Sequence, residues 1–349
     1  MFEYVGAAHV HSIYSDGTGT VEEIANIANE TGLDFVLLTD HNTLRALDEG
    51  KEKWYGNTLL LVGAELNDKE IQNHYLTFGL TKTLSTRLDA KDYVSKVNKL
   101  GGFGFIAHPH EKRSQMEEHP PYPWTAWDSD EFTGIEIWNH MSEWMEGLNE
   151  ENKYSRFIHP LRSIIAPPNE TLSTWDELNL KRKVVGIGGV DAHAHKLNLL
   201  GFFEVEVFPY KVLFKSIRTH VFTEKKIEIG FEKVKVEATK NQIYSALKYG
   251  RSFISNYYHG DAKGFRYFAE DGNQIYQMGD YIKLSNDIKL RVILPNIAGT
   301  INLIWNGKTI HSVENIDAEF IVNKKGAYRI EVYVDNKAWI FSNHIRIGL

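Results

Sequence analysis

The stretch Tyr4-Val5-Gly6-Ala7-Ala8-His9-Val10-His11 decides how the rest of the chain is read. Residues 4–10 are apolar or small and read as a β-strand, and that strand ends on two histidines with one residue between them. Side chains alternate along a strand, so His9 and His11 are expected to point the same way and to be able to bind one cation. Asp16 follows in the loop Ser12-Ile13-Tyr14-Ser15-Asp16-Gly17. Thr20 with Glu23 forms a capping box that opens a helix through Val21, Ile24, Ile27 and Ala28, stopped at Gly32. Residues 35–39 and 59–64 are short apolar runs, as buried parallel strands require, and residues 74–79 read as a further strand. Asp89 caps a helix carrying Tyr93, Val94, Val97 and Leu100, closed by Gly101, and apolar strands recur at 103–107, 134–138 and 184–190. Strands separated by helical patterns predict an α/β domain with a parallel sheet or barrel. A helix at about 240–248, behind Thr239 and ended by Gly250, completes it.

Beyond Asn256 helical periodicity stops. Alternating runs at 288–294, 300–305, 320–322, 328–334 and 339–345 take over, divided by turns such as Asp271-Gly272 and Asn306-Gly307, the latter a strong hairpin signal. The expectation is a small antiparallel β-sandwich: a first domain over 1–256 and a sandwich over 257–349.

Composition narrows the chemistry. The 349 residues are 42% hydrophobic and 24% charged, ordinary for a globular protein. A formal net charge of −7 argues against binding nucleic acid through a bulk positive field, so nucleic acid enters only as a substrate. There is no cysteine, which excludes disulfides, thiol nucleophiles and thiolate metal sites. A metal would have to be held by histidine, aspartate and glutamate. No basic stretch followed by an apolar run opens the chain, and no apolar run reaches membrane-spanning length, so the expected location is the cytoplasm.

The informative polar residues fall at the C-terminal ends of the expected strands, where α/β folds build their sites. His9 and His11 end the first strand, Asp40 and His41 the second, and Glu65 the run Leu-Leu-Leu-Val-Gly-Ala. His74 begins the next strand. His108 follows Phe-Gly-Phe-Ile-Ala, and Asp191 and His193, again two apart, follow Val-Gly-Ile-Gly-Gly-Val. One such residue is an ordinary cap or turn group. Ligand-type side chains at strand end after strand end, two of them as period-two pairs, are hard to obtain from packing alone and predict metal binding.

With these residues in view, the chain resembles the polymerase-and-histidinol-phosphatase (PHP) superfamily. The resemblance is carried by His-Val-His with Ser-Asp-Gly (His9, His11, Asp16), Thr-Asp-His-Asn (Asp40, His41), Gly-Ala-Glu (Glu65), His74, Ala-His-Pro-His (His108) and Asp-Ala-His (Asp191, His193), over about residues 1–255. The C-terminal sandwich resembles the CehA/McbA-like branch more narrowly, with Gly250-Arg251-Ser252-Phe253 and Met278-Gly279-Asp280 as weaker support. The resemblance implies a distorted (β/α)7 TIM-like barrel with a centre of two or three divalent metals, zinc, manganese or iron. Mapped onto this chain, one ion takes His9, His11, Glu65 and Asp191. A second shares Glu65 and adds His74 and His108, and a third takes Asp16, His41 and His193. These ligands are also the implied catalytic set.

Three divalent ions bring more positive charge than Asp16, Glu65 and Asp191 return, so the site should attract a small anion, with a phosphate ester or nucleotide as the natural substrate. The expected reaction is in-line attack on phosphorus by a metal-bridging hydroxide, a water or site histidine protonating the leaving group. His110, Arg113, His140 and His195 are the candidate substrate contacts. Lys112, in the same loop, reads as a substrate-phosphate contact or a solvated charge, and Glu136 and Asn139 end their strand as supporting or substrate-contacting groups. The aromatic, proline-rich segment 120–127, with Tyr122, Trp124 and Trp127, reads as a packed loop that could also wall a pocket. The alternating Lys/Glu run at 224–240 reads as a solvated hairpin. Hydrolysis of carboxylic esters or carbamates is the alternative reaction, and a non-catalytic carbohydrate- or protein-binding protein the alternative class.

Overall fold

The computed structural model describes residues 1–113, 120–199 and 203–349. The fold is α/β with mixed sheets. The strand Phe2–Val10 lies parallel to Phe35–Leu38, which lies parallel to Thr58–Val62. On its other side Phe2–Val10 pairs antiparallel with Ile217–Thr223, and that strand with Ser252–Asn256. A second sheet orders Ala64–Leu66, Tyr75–Phe78, Phe103–Ile106, Gly134–Asn139 and Val185–Gly189. Its first two pairings are antiparallel and its last two parallel.

Both edges of the second sheet are bridged to the first. Gly63 N–H donates to Leu38 O at 2.7 Å and Glu65 N–H to Thr39 O at 3.1 Å, while Val190 N–H donates to Ala8 O and His11 N–H to Ala192 O, both at 2.9 Å. Strand side chains divide by period two. Ala8, Phe35, Leu37, Leu59, Leu61, Leu76, Phe105 and Ile187 share one buried cluster, which Ile243, Tyr244 and Leu247 of the helix Lys233–Tyr249 complete. Val36, Leu38, Leu60 and Val62 face the other way, onto Val21, Ile24 and Ala28 of the helix Val21–Glu30. Burial on both faces is why these strands read as continuous apolar runs.

The capping box at Thr20 and Glu23 is formed, and Gly32 closes that turn with φ +74°. The Lys/Glu run at 224–240 departs from its expected hairpin. From Lys233 it is helical, with Val236, Thr239, Ile243 and Leu247 buried, so Thr239 sits inside the helix and does not cap it. The period-3.6 apolar stripe beneath the charges decides this.

In the C-terminal part a four-stranded sheet orders Gln274–Gln277, Arg266–Asp271, Ile288–Ile293 and Asp317–Val322. Tyr267, Ala269, Leu290 and Val292 share a buried core with Ile301, Leu303, Ile330, Val332 and Ile340, which belong to strands of the large sheet. Asn306 and Gly307 take φ +50° and +79°, the two left-handed residues of the expected tight hairpin between Gly299–Trp305 and Lys308–Asn315. The strand Lys337–Ser342 pairs with Ser252–Asn256, so the large sheet runs through residue 256 without a break. Among the described residues no helix is long and apolar enough to cross a membrane.

Candidate metal centre

The strand ends converge on Glu65, which is buried at the start of the second sheet. Its Oε2 lies 3.1 Å from His9 Nε2, 3.2 Å from His11 Nε2 and 3.4 Å from His41 Nδ1. Its Oε1 lies 2.8 Å from His74 Nδ1 and 3.3 Å from His108 Nε2. Asp191 Oδ1 stands 3.4 Å from His9 Nε2 and 3.5 Å from His11 Nε2. Asp16, half exposed, stands 3.5 Å from His11 Nδ1, 3.6 Å from His41 Nε2 and 3.3 Å from His193 Nε2.

The structure therefore brings all nine expected ligands into one cluster. Its ligand-sized groups are His9, His11 and Asp191; His9, Glu65 and His108; His41, Glu65 and His74; and His11, Asp16, His41 and His193. These overlap more than the expected partition into ions, because His11 reaches Asp16 and His41 reaches Glu65.

Plain pleating does not explain how His9 and His11 meet. The register shifts between Ala8 and Val10, and His9 takes φ +63°, left-handed for a residue with a Cβ. Asp191 (φ +53°) and His108 (φ +27°) are left-handed too. Each such residue costs on the order of 1–3 kcal/mol, and such conformations cluster at functional sites.

The residues fit a cation. Neither ring nitrogen of buried His11 makes an aligned hydrogen bond, and His74 Nε2 and His108 Nδ1 are likewise buried without one. Burial opposes charge on His11, yet Asp191 and Glu65 outweigh it and lift the ring to about 9. His108 rises to about 9 against burial through Glu111 and Glu65. Burial would raise Glu65 and Asp191, but the surrounding histidines hold both well below the usual carboxylate range. The cavity demands positive charge, which a cation held by these ligands would supply. His41 goes the other way: burial lowers it to about 4 and leaves the lone pair of one ring nitrogen available.

The expected substrate contacts separate. His195 is half-buried, with its ring 5.0 Å from that of His193. Arg113 is paired to buried Glu111 at 2.6 Å and lies over the Tyr122 ring. His110 turns away from the cluster, its Nδ1 at 3.1 Å from Thr171 Oγ1 and its ring stacked on Trp127. His140 is fully buried with neither ring nitrogen hydrogen-bonded, and burial lowers it to about 3. Of the aromatic segment, Tyr122 stacks on His74 at 4.9 Å, whereas Trp124 packs inward near Tyr75 and Tyr93.

Glu111 is the residue that reading the sequence missed. It accepts from Arg113, Tyr122 N–H and Ser142 Oγ–H and so ties the loop after His108 to the helix His140–Glu146. A Glu beside Lys112 and Arg113 looks like one more solvated charge, and nothing local marks it as buried. Asp40 is no ligand here: it accepts from Ser12 N–H, Ser12 Oγ–H and Ser15 Oγ–H and shapes the loop that carries Asp16.

Residues 7–160 match the family model of the PHP domain. That span, under half of the chain, holds His9, His11, Asp16, His41, Glu65, His74 and His108, with Asp191 and His193 beyond it. Over 118 residues the chain is 32% identical to an uncharacterized protein of Methanocaldococcus jannaschii, covering 29% of this chain and 66% of that protein. Among solved structures it is similar to a two-domain Bacteroides vulgatus protein described as containing a predicted PHP-like metal-dependent phosphoesterase (TM-score 0.47, 16% identity, 98% of this chain and 95% of that one). It is also similar to PsfC from Pseudomonas syringae (TM-score 0.43, 12% identity, 70% and 98%). The domain match supports the PHP superfamily; at these TM-scores the structural likenesses add nothing to it.

Proposed function

We propose that this chain is a metal-dependent hydrolase of the PHP superfamily, in its CehA/McbA-like branch, and that it cleaves a small phosphate ester or nucleotide. On this reading residues 1–256 form a distorted (β/α)7 barrel that carries the chemistry, and 257–349 an accessory β-sandwich. The observation that carries the proposal is Glu65, with His9, His11 and His41 about one carboxylate oxygen and His74 and His108 about the other. A carboxylate placed so can hold two cations side by side.

His9, His11, Glu65 and Asp191 would hold one divalent ion, Glu65, His74 and His108 another, and Asp16, His41 and His193 a third. Zinc, manganese and iron all suit this nitrogen and oxygen set. Bound ions of this kind bring the pKa of water towards about 7 and neutralise charge on a phosphoryl group. The chain's own residues do the rest. His41, kept neutral by burial, offers one ring-nitrogen lone pair at the mouth, where half-exposed Asp16 also stands. Tyr122, stacked on His74, screens that side of the cluster from water. His195, beside His193, would meet the substrate and protonate the leaving oxygen.

Arg113 favours a second reading, hydrolysis of a carboxylic ester or carbamate. The cation a phosphate would use is already neutralised by Glu111 at 2.6 Å, and His110 faces the helix Asn169–Lys181. A panel of p-nitrophenyl phosphate, phosphodiester, nucleotide and carbamate substrates, run on zinc-, manganese- and iron-loaded protein, separates the two. Metal-dependent turnover of phosphate esters is expected, and turnover of carbamates alone would replace the first reading by the second.

A further inference from the structure

Behind the cluster lies a carboxylate that no ligand assignment uses. Glu136, on the strand Gly134–Asn139, is 1% exposed. Its Oε1 lies 2.9 Å from His9 Nδ1. Its Oε2 accepts the backbone N–H of His108 at 2.9 Å and Asn139 Nδ2–H at 2.8 Å. The same Asn139 amide nitrogen lies 3.2 Å from Asp191 Oδ2, and its Oδ1 caps the next helix by accepting from Ser142 N–H. One side chain thus touches the ends of several strands and fixes two ligands, His9 and His108, whose backbones are left-handed. Room is kept for it by Gly189, where a Cβ would overlap Glu136 Oε1 and stand 2.9 Å from His9 Cβ.

An ionised carboxylate only accepts hydrogen bonds. Set against that acceptor, a hydrogen on His9 Nδ1 points at Glu136 Oε1, which is nearer than Asn139 Nδ2 at 3.5 Å, and Nε2 then faces Glu65 Oε2 at 3.1 Å and Asp191 Oδ1 at 3.4 Å. A lone pair against two carboxylate oxygens is tenable only with a cation among them. Building on the metal-hydrolase reading, we infer that Glu136 is a positioning residue, which sets the His9 tautomer for metal ligation and holds the His108 backbone in its ligating conformation. Glutamine cannot replace it. One amide oxygen would have to serve donors on both sides, and whichever side met the NH2 group would lose its acceptor.

The test is zinc affinity, measured on the metal-stripped full chain by competition with a chromophoric chelator, for wild type, Glu136→Gln and Glu136→Asp. Outer partners of metal-bound histidines are typically worth about 10–100-fold in affinity. Glu136→Gln is expected to weaken zinc by that factor, and Glu136→Asp, which keeps two acceptor oxygens, to recover part of the loss. Equal affinity of wild type and Glu136→Gln overturns the assignment. If Glu136→Gln does not fold, the 15N shifts of His9 in zinc-loaded wild type decide: a protonated Nδ1 upholds the assignment and a protonated Nε2 overturns it. A wild-type chain that binds no zinc, manganese or iron refutes the hydrolase reading itself, and the inference with it.

Discussion

Glu65 shows how much a single side chain can concentrate. A fully buried carboxylate is costly unless it is paired, and here five imidazoles surround it. Glu65→Gln keeps the shape and removes the charge, so the prediction is that ions bound per chain fall by at least one, read by elemental analysis after reconstitution; unchanged stoichiometry would contradict the shared role. Gly189→Ala attacks the same centre from behind, since its methyl group must displace Glu136 from His9, and zinc affinity should drop about tenfold or more. The ligand set was legible in sequence because the residues are chemically distinctive and recur at strand ends. Glu136 was legible only as a supporting or substrate-contacting group at its strand end, without its partners, and Glu111 was not legible at all, because it differs from a surface glutamate only in burial.

Among the elements, the short helix His140–Glu146 carries a pH dependence. Burial pushes Glu143 up to about 7, although Trp138 Nε1–H and the backbone N–H groups of Ile165 and Ala166 donate to it. Its folded pKa lies above the unfolded value, so between about 4.5 and 7 the native state binds more protons than the unfolded one. Stability from this group is therefore full below that window and declines as pH rises through it, on the order of 3 kcal/mol in all. Glu143→Gln should flatten that decline in Tm against pH, whereas parallel curves for the two proteins would contradict it. Elements with one clean period were readable, such as the capping box at Thr20 and the Asn306-Gly307 hairpin. The helix Lys233–Tyr249 was misread at its start because alternating Lys and Glu hid Val236 and Thr239 beneath them. The strand Ile217–Thr223 went unrecognised because its buried residues include Arg218, Thr219 and His220, which look exposed in sequence.

Across the whole molecule, the C-terminal strands are joined to the rest by more than chain connectivity. Asp176, on the helix Asn169–Lys181, is held bidentately by Arg329, with both contacts at 2.8 Å, and lies 2.7 Å from His344 Nε2. Arg329 also reaches Glu331 at 2.6 Å, and Asn343 hydrogen-bonds both the N–H and the C=O of Gly186. Breaking a buried pair leaves an unpaired charge inside, so Asp176→Ala should cost about 3 kcal/mol or more in urea unfolding; a loss under about 1 kcal/mol would contradict a structural role for the network. This union was invisible in sequence, since pairing of 252–256 with 337–342 joins residues far apart in the chain and no local pattern records it. The central claim remains that the histidine–carboxylate cluster holds catalytic metal. Its most direct test is the metal content and p-nitrophenyl phosphate turnover of wild type beside His9→Ala and Asp191→Ala, all purified alike and reconstituted with zinc, manganese or iron. The expected result is two or three ions per wild-type chain with chelator-sensitive turnover, and the loss of at least one ion and nearly all turnover in each variant; variants that kept full metal and full activity would contradict it.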